Sequence, residues 1–323
     1  MQSQFVVHTA SWPFLYSILR KGERPTMETA PKKSRKGLII ALILLAVLLF
    51  ASLAQNIYYL FWGFDSYLQS TDEIAIMEAG ILKRFETFGG GEDHPFSYDM
   101  ANEAYPALLA DYGLDAIAGT GSELERALRL MDEYAPRLKH KSNYDNHVPM
   151  TAPDLLAYAL DKPANGINCR AKAQILNEMC LSLGIFARKV WIMPLSPYDN
   201  DCHVVNEVWD TDLNKWVMLD ITNDQYWVDE NGTPLSVLEL RTLGAEQAFC
   251  TPVCPGDSLE DLLALKNKYL GNYLYIMKNL FYTQYCDAYG VGEIRPIWCL
   301  IPGNAESDYE YRISEEAVNR PPV

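Results

Sequence analysis

The sequence predicts an α+β fold in which a helix that begins at a cysteine packs on an antiparallel sheet. The helical pattern begins at Cys169, with Asn168 as a suitable N-cap, and stops at Gly184. Three strand patterns follow in direct succession, at residues 187–193, 202–209 and 215–221. Because a short turn joins the last two, they should pair as an antiparallel hairpin. Extra helical patterns flank this core, and one apolar run near the N-terminus precedes them all.

The apolar run from Leu38 to Ala54 predicts one transmembrane helix. It contains no charged residue, and about 17–25 apolar residues cross a bilayer as a helix. A basic cluster stands just before it, and such clusters stay on the cytoplasmic side: Lys32, Lys33, Arg35 and Lys36. We therefore expect a single-pass protein of the cell membrane with its following domain outside. Secretion after cleavage near Ala54 is the alternative, and Met27 is an alternative start.

The composition is that of a globular protein with an acidic balance. The chain has 323 residues, of which 49% are hydrophobic, and its net charge is -15. Nucleic acid is a poor partner for such a chain, because phosphate binding requires clustered lysine and arginine. We expect five segments: a basic cytoplasmic segment (1–36), a membrane anchor (37–54), a membrane-proximal helical region (55–120), the core (121–235) and a C-terminal helical extension with tyrosines and cysteines (236–323).

Cys169 is the first candidate functional residue. At the first turn of a helix, unpaired backbone N–H groups and the positive end of the helix dipole favour an anion. The thiol should therefore ionise more readily than a free cysteine, and the thiolate is the reactive form. Taken alone, a cysteine at the start of a helix is more often structural or disulfide-bonded.

His203 and Asp220 lie on the two strands of the predicted hairpin. His203 is the one histidine on a core-like element after the helix, whereas the others precede the membrane run or lie in polar, loop-like contexts: His8, His94, His140 and His147. Asp220 interrupts an apolar strand, and burial of a carboxylate is costly unless the carboxylate is paired. A histidine on the neighbouring strand suits it, because a carboxylate orients the ring and stabilises the imidazolium.

The stretch from Asn165 to Thr222 resembles the transglutaminase-like superfamily of papain-type folds. That family places its cysteine at the head of a helix that ends in Gly-Ile-Pro-Ala-Arg, and here the helix ends in GIFAR at residues 184–188. The family's histidine strand reads roughly His-x-Trp-x-Glu-Val, and here residues 203–208 read HVVNEV. Its aspartate strand usually reads Trp-x-x-x-Asp-Pro-Thr, and here residues 216–222 read WVMLDIT. The resemblance implies three catalytic residues: Cys169, His203 and Asp220.

The departures from the family pattern concern positions around the reacting groups. Phe186 and Ile221 replace prolines that the chemistry does not require, and Val205 replaces a frequent aromatic residue near the site. The backbone N–H of Cys169 can supply one donor to an oxyanion. For a second donor the sequence offers three candidates without ranking them: Trp191, Asn206 and Gln174.

The resemblance implies acyl transfer through a thioester on Cys169, in a membrane-anchored or secreted protein of bacterial type. Water as the acceptor gives a peptidase or amidase, which is the preferred prediction, and a lysine amine gives a crosslinking transglutaminase. We expect a protein or peptide substrate, which includes those of the cell surface, and no cofactor or metal. The alternative is a non-catalytic binding or scaffold protein of the cell surface that retains the fold.

All seven cysteines follow the membrane run, in a compartment that we expect to be oxidising. The last four favour disulfides over a zinc site, because their spacing matches no zinc motif and no histidine is near: Cys250, Cys254, Cys286 and Cys299. Cys202 should point away from the face that His203 occupies and should be structural, and Cys180 fits a plain core position.

Overall fold

The computed structural model describes the chain in several ranges: residues 35–58, 60, 72–196, 198–199, 201–286, 288–290, 292, 296–305 and 308–322. The chain divides into two compact units, Met1–Phe61 and Trp62–Val323. Most of the predicted cytoplasmic segment, with the alternative start Met27 and two residues of the basic cluster, lies outside the described residues. The predicted orientation of the membrane span therefore stays a prediction.

Helix α1 (Arg35–Tyr58) is the element described in the first unit. Its most apolar 18-residue window has a mean hydropathy of 3.0, and none of this window is buried. By length and composition this helix can cross a membrane, and a signal sequence near an N-terminus has the same properties.

The second unit is built on a seven-stranded antiparallel sheet with the strand order β6-β5-β4-β3-β2-β7-β9. The strands are β2 (Ala187–Met193), β3 (His203–Asp210), β4 (Lys215–Asp220), β5 (Gln225–Asp229), β6 (Cys250–Val253), β7 (Tyr282–Cys286) and β9 (Ile297–Leu300). A separate parallel pair joins β1 (Ser97–Tyr98) to β8 (Ala288–Tyr289). The predicted α+β class, with a helix on an antiparallel sheet, is confirmed.

Ten helices are described in the second unit. They are α2 (Asp72–Arg84), α3 (Tyr105–Tyr112), α4 (Leu114–Ala118), α5 (Glu123–Tyr134), α6 (Ala152–Asp161), α7 (Cys169–Ser182), α8 (Val237–Glu246), α9 (Leu262–Lys268), α10 (Leu270–Asn279) and α11 (Glu315–Asn319). Helix α5 begins with a capping box, in which the Ser122 side chain accepts from the backbone of Glu125 and the Glu125 side chain accepts from the backbone of Ser122.

Helix α7 is the central helix of the core. It packs on β2 and β3, and α3, α5 and α6 pack against it from the other directions. Every residue from Ala171 to Leu181 is buried, although the sequence pattern suggested a single apolar stripe. Because the helix is enclosed on all sides, its polar residues are buried as well: Lys172, Gln174, Asn177 and Glu178.

A buried ion pair joins β2 to β3. The Arg188 Nε and Nη2 atoms lie 2.9 Å and 2.6 Å from Glu207 Oε2, and Arg188 also donates to the Val318 carbonyl at 2.8 Å. The other Glu207 oxygen accepts from the backbone N–H of Val237 at 2.9 Å. The Arg188 guanidinium stacks 4.0 Å from the centre of the Trp216 ring on β4. The pair thus holds together the three strands that carry the candidate site.

The C-terminal part differs from the helical pattern that the sequence suggested. Helices α8 to α10 are present, but three strands of the main sheet, β6, β7 and β9, also come from this part. Strand β7 follows α10 directly and has only five residues, so its alternation of half-buried and buried side chains is too short to be separated from the preceding helical pattern.

The prediction of disulfides is wrong, because none of the seven cysteines is disulfide-bonded in the structure. Cys250 on β6 and Cys299 on β9 stand at opposite edges of the sheet, separated by six strand spacings or roughly 29 Å. Cys286 is opposite Ile297 in the strand register, so it is only diagonal to Cys299, and about 7–8 Å between such positions is beyond the reach of a disulfide. Cys180 is fully buried in the core, as expected.

Candidate active site

The start of helix α7 places Cys169 at the base of a cleft. The Asn168 side chain accepts a hydrogen bond from the backbone N–H of Ala171 at 3.0 Å, which is the predicted N-cap. The Asn168 amide also donates to Asn146 Oδ1 at 3.1 Å, so the residue before the cysteine is held to the loop that precedes α6. Cys169 itself is half-buried and its thiol is free.

The hairpin of β3 and β4 brings His203 and Asp220 together. The two strands pair antiparallel, as the sequence predicted, with Asn206 opposite Leu219 and Val208 opposite Val217. His203 Nε2 lies 2.9 Å from Asp220 Oδ2, and both side chains are buried. The other ring nitrogen, Nδ1, is then the one available to Cys169, whose thiol is hydrogen-bonded to His203.

The Asp220 carboxylate receives further hydrogen bonds from the turn that follows β4. Its Oδ1 atom accepts the backbone N–H groups of Thr222 at 3.0 Å and Asn223 at 3.4 Å. Its Oδ2 atom accepts the Asn223 side-chain amide at 2.8 Å and the Gln225 amide at 3.4 Å. These donors fix the direction of the carboxylate and therefore the plane of the His203 ring.

The electrostatics of the His203–Asp220 pair favour its charged form. Burial alone would lower the pKa of His203, but the charge of Asp220 and the hydrogen bonds to Asp220 and Cys169 outweigh it and raise the pKa. Burial alone would raise the pKa of Asp220, but the charge of His203 and the hydrogen bonds from His203 and Asn223 lower it. The pair is therefore an imidazolium and a carboxylate at neutral pH.

The same imidazolium acts on Cys169. Burial alone would raise the pKa of the Cys169 thiol, but the hydrogen bond and the positive charge of His203 lower it, and a hydrogen bond from the backbone of Val204 lowers it further. The arrangement stabilises a thiolate beside an imidazolium, which is the nucleophilic form of a cysteine.

Cys169 and His203 line a cleft of about 1010 Å³, and Asp220 is fully buried behind His203. The walls of the cleft come from α2, the loop at residues 140–146, the start of α7, the ends of β2 and β3, and α10. Trp191 on β2 and Tyr275 on α10 both line it. A cleft of this size accommodates several residues of an extended peptide.

The structure separates the three candidates for a second oxyanion donor. The Gln174 amide is buried and directed to Glu178, and the Asn206 amide donates to the Ala173 carbonyl at 2.9 Å, so neither faces the cleft. Trp191 lines the cleft together with Cys169, and it stands opposite Val204 in the register of β2 and β3. Trp191 is therefore the candidate that the geometry retains.

Tyr275 and His140 complete the surroundings of the site, and neither was a candidate from the sequence. The Tyr275 ring lies edge-on to His203 with 5.5 Å between ring centres, and its hydroxyl donates to Asp201 at 3.3 Å. His140 lies at the rim of the cleft, with Nε2 3.0 Å from Ser142 Oγ. His140 and Tyr275 are 63 and 72 residues from His203 in the sequence, so no local pattern connects them to it, and the loop context of His140 gave no sign of a site.

Lys172 is a buried cation one helical turn from Cys169. Its side chain is 2% exposed, and its charge interacts with those of Asp220, Asp224 and Cys169. Burial lowers the pKa of Lys172, and these negative groups oppose the shift. One sequence signal pointed to Lys172: it lies three residues after Cys169, on an otherwise apolar face of the helix.

Cys202 lines the same cleft as His203, which corrects the expectation that it points away. Strand β3 begins only at His203, so the alternation of faces does not extend to Cys202. Burial, and then the negative charge of Cys169, raise the pKa of its thiol, so Cys202 is the less reactive of the two. Among the described residues, no group of three or more His, Cys, Asp or Glu could hold a metal ion.

Comparison with known proteins places this site within a family. Residues 111–221, which include Cys169, His203 and Asp220, match the model of the transglutaminase-like superfamily, so this part of the chain is a transglutaminase-like domain. No curated protein sequence matches the chain at a significant level.

Two solved structures are similar to the chain. A candidate cysteine protease from Cytophaga hutchinsonii has 16% sequence identity and a TM-score of 0.31, and the match covers 48% of this chain and 51% of that one. A candidate protease from Parabacteroides distasonis has 15% identity and a TM-score of 0.25, with 50% of this chain and 30% of that one covered. The match thus spans about half of the first structure's chain and less than a third of the second's.

Proposed function

We propose that this protein is a cysteine-dependent enzyme that hydrolyses an amide bond in a protein or peptide. The observation that carries the proposal is the hydrogen-bonded series from the Cys169 thiol through His203 to Asp220, at the base of an open cleft. In this proposal Cys169 is the nucleophile, His203 is the proton donor and acceptor, and Asp220 orients His203.

The first half of the reaction forms a thioester. The Cys169 thiolate attacks the carbonyl carbon of the substrate, and the resulting oxyanion accepts hydrogen bonds from the Cys169 backbone N–H and, as we assign it, the Trp191 indole. The His203 imidazolium then donates its proton to the amide nitrogen as the C–N bond breaks. The amine leaves, and His203 becomes neutral with Asp220 still bonded to Nε2.

The second half of the reaction releases the acyl group. Neutral His203 takes a proton from water, the hydroxide oxygen attacks the thioester carbonyl, and the C–S bond breaks to give a carboxylic acid and the Cys169 thiolate. An amine in place of water would give a new amide, which is the transglutaminase reaction. The open cleft admits water at Cys169, which supports hydrolysis as the preferred outcome.

We further propose that the enzyme acts outside the cytoplasm, attached to the cell membrane through α1. Support comes from the apolar character of α1 and from the basic residues directly before it in the sequence. Its substrates would then be proteins or peptides of the cell surface. Labelling of intact cells with a membrane-impermeant maleimide tests this placement: an external domain reacts before lysis, and an internal domain reacts only after it.

The reaction is tested by assaying the full chain in detergent for peptide hydrolysis, glutamine deamidation and amine incorporation. Cys169→Ala should abolish whichever activity is found. Cys254→Ala is the matched control, because this thiol is also half-buried but lies outside the cleft. Activity in the hydrolysis assay alone supports the proposal, and incorporation of an amine without hydrolysis would replace it with the transglutaminase reaction.

The alternative of a non-catalytic scaffold makes a different prediction. A scaffold would show none of the three activities, and Cys169→Ala would leave its cellular phenotype unchanged. The hydrogen bond from the Cys169 thiol to His203 and the lowered pKa of that thiol favour the enzyme, because a scaffold gains nothing from a stabilised thiolate.

A further inference from the structure

A second groove, of about 630 Å³, opens beside the cleft that contains Cys169. The two are adjacent, and Arg170 and Trp191 line both of them. Arg170 follows Cys169 in the chain, and Trp191 stands opposite Val204, the residue after His203. The second groove is therefore lined in part by a chain neighbour of Cys169 and by the strand partner of the residue after His203.

Because the second groove is adjacent to the Cys169 cleft, a peptide bound in the cleft can extend into it. An extended peptide advances by about 3.3 Å per residue, so two or three residues cover roughly 7–10 Å. A substrate whose carbonyl lies at Cys169 therefore continues past Trp191 into the second groove within two or three residues. We name this groove, defined by Trp191, Ile297, Tyr309 and Tyr311, the aromatic groove.

The walls of the aromatic groove are suited to an apolar side chain. Three of its lining residues are aromatic and one is a branched aliphatic residue. Tyr309 and Tyr311 are 42% and 39% exposed, so aromatic surface stands open to solvent on one side of the groove. The Tyr309 hydroxyl is bonded to the Tyr282 hydroxyl at 2.5 Å, which fixes one of these rings in place. Such rings offer flat faces for stacking and bury large areas at little entropic cost.

The charges along the two grooves differ. Among the described residues that line the aromatic groove, none is acidic and the one charged residue is Arg170. The lining of the Cys169 cleft instead includes Glu78 and Asp201, together with Lys278. In a chain with a net charge of -15, a groove lined without an acidic residue favours neutral over cationic side chains.

We propose that the aromatic groove is a substrate subsite that takes an aromatic or large aliphatic side chain of a peptide, two or three residues from the amide bond that Cys169 attacks. The location of that bond rests on the proposed function, whereas binding of the side chain does not. Ile297, Tyr309 and Tyr311 lie after the matched domain at residues 111–221, so this selectivity is a property of the chain's own C-terminal part.

The experiment measures peptide binding to the full-length Cys169→Ala variant by isothermal titration calorimetry. The probes are N-acetyl-Ala-Ala-Phe-Ala-Ala-amide and the same peptide with alanine or lysine in place of phenylalanine. The phenylalanine peptide should bind at least about tenfold more tightly than the alanine peptide, because one buried ring contributes enough apolar area for a tenfold step. The lysine peptide should bind no better than the alanine peptide.

Variants test whether the preference for the phenylalanine peptide depends on the aromatic groove. Tyr309→Ala with Tyr311→Ala should bring the affinity for the phenylalanine peptide to that for the alanine peptide, and the two Tyr→Phe substitutions together should retain the preference. Tyr198→Ala is the matched control, because this tyrosine is 92% exposed and lines neither groove, so it should change nothing. Equal binding of the phenylalanine and alanine peptides, or a preference that survives the double Tyr→Ala substitution, overturns the proposal.

The outcome also distinguishes a failure of the proposed subsite from a failure of the proposed hydrolysis. If the Cys169→Ala variant shows the preference while the wild-type protein neither cleaves nor modifies the phenylalanine peptide, the subsite stands and the proposed hydrolysis fails. If the wild-type protein cleaves the phenylalanine and alanine peptides with equal kcat/KM and neither binds more tightly, hydrolysis stands and the subsite fails.

Discussion

Replacement of Asp220 by asparagine removes the negative charge that faces His203 while keeping the size of the side chain. Oδ2 of Asp220 accepts from His203 Nε2 at 2.9 Å, from the Asn223 amide at 2.8 Å and from the Gln225 amide at 3.4 Å. Oδ1 accepts from the backbone N–H of Thr222 at 3.0 Å. Both oxygens of Asp220 are acceptors. In Asp220→Asn the side-chain NH2 group would replace one of them and would face a donor in either orientation of the amide.

The losses of stability and activity expected for Asp220→Asn follow from these contacts. Asp220 is fully buried, and the removal of one partner from a buried charged pair costs about 3–5 kcal/mol in the free energy of unfolding. The pKa of His203 should also fall, because burial lowers it and the opposing charge of Asp220 is gone. Without the imidazolium, the pKa of Cys169 should rise. Loss of a correctly protonated catalytic histidine lowers kcat/KM by about a hundredfold to ten-thousandfold.

The assay is the rate of alkylation of Cys169 by iodoacetamide as a function of pH, which requires no substrate. In the wild-type protein the reaction should persist below the pH at which a model thiol, with a pKa of about 8.5, becomes unreactive. In Asp220→Asn the profile should shift to higher pH. Asp229→Asn is the control, because Asp229 likewise accepts two backbone N–H groups, at 2.8 Å, but lies outside the cleft. An unchanged profile in Asp220→Asn would refute the reasoning.

Three other predictions concern stability and electrostatics. The raised pKa of His203 contributes stability that is fully present below its unfolded value of about 6.5 and is lost as the pH rises through about 10, so the difference in Tm between wild type and His203→Gln should shrink over that range. Arg188→Met should lower the free energy of unfolding by about 3–5 kcal/mol in denaturant titrations, and adding Glu207→Leu should recover part of the loss. Lys172→Met should shift the alkylation of Cys169 to higher pH, because a buried cation near the thiolate is removed; an unshifted profile would show that Lys172 has no electrostatic role.

The parts of the fold that the sequence predicted are those with strong local signals. The helix from Cys169 has an N-cap at Asn168, and Gly184 follows its end in a left-handed conformation at φ 74°. The hairpin between His203 and Asp220 could be predicted because a carboxylate in an apolar strand requires a partner on its neighbour. These three residues therefore meet as the pattern suggested, and their catalytic roles are the proposal that the experiments test.

The parts that the sequence did not predict depend on contacts between distant segments. Tyr275 reaches His203 only because α10 packs beside the sheet, and nothing within the local pattern of α10 indicates that contact. Disulfides were expected from the oxidising compartment and from cysteine spacing that matches no zinc motif, whereas the strand order separates Cys250 from Cys299 by the width of the sheet. The alternation of side chains between the two faces of a sheet could not be applied to Cys202, because it holds only within a paired strand. Strand β3 begins one residue after Cys202.

Formation of an acyl-enzyme on Cys169 tests the central claim most directly. The full chain is mixed with an activated ester, N-acetylphenylalanine 4-nitrophenyl ester, and nitrophenol release is followed while intact and digested protein are analysed by mass spectrometry. The account predicts a burst of about one equivalent of nitrophenol and an N-acetylphenylalanyl group on the peptide that contains Cys169, both absent in Cys169→Ala. A burst that persists in Cys169→Ala, or an acyl group carried only by other residues, would contradict it.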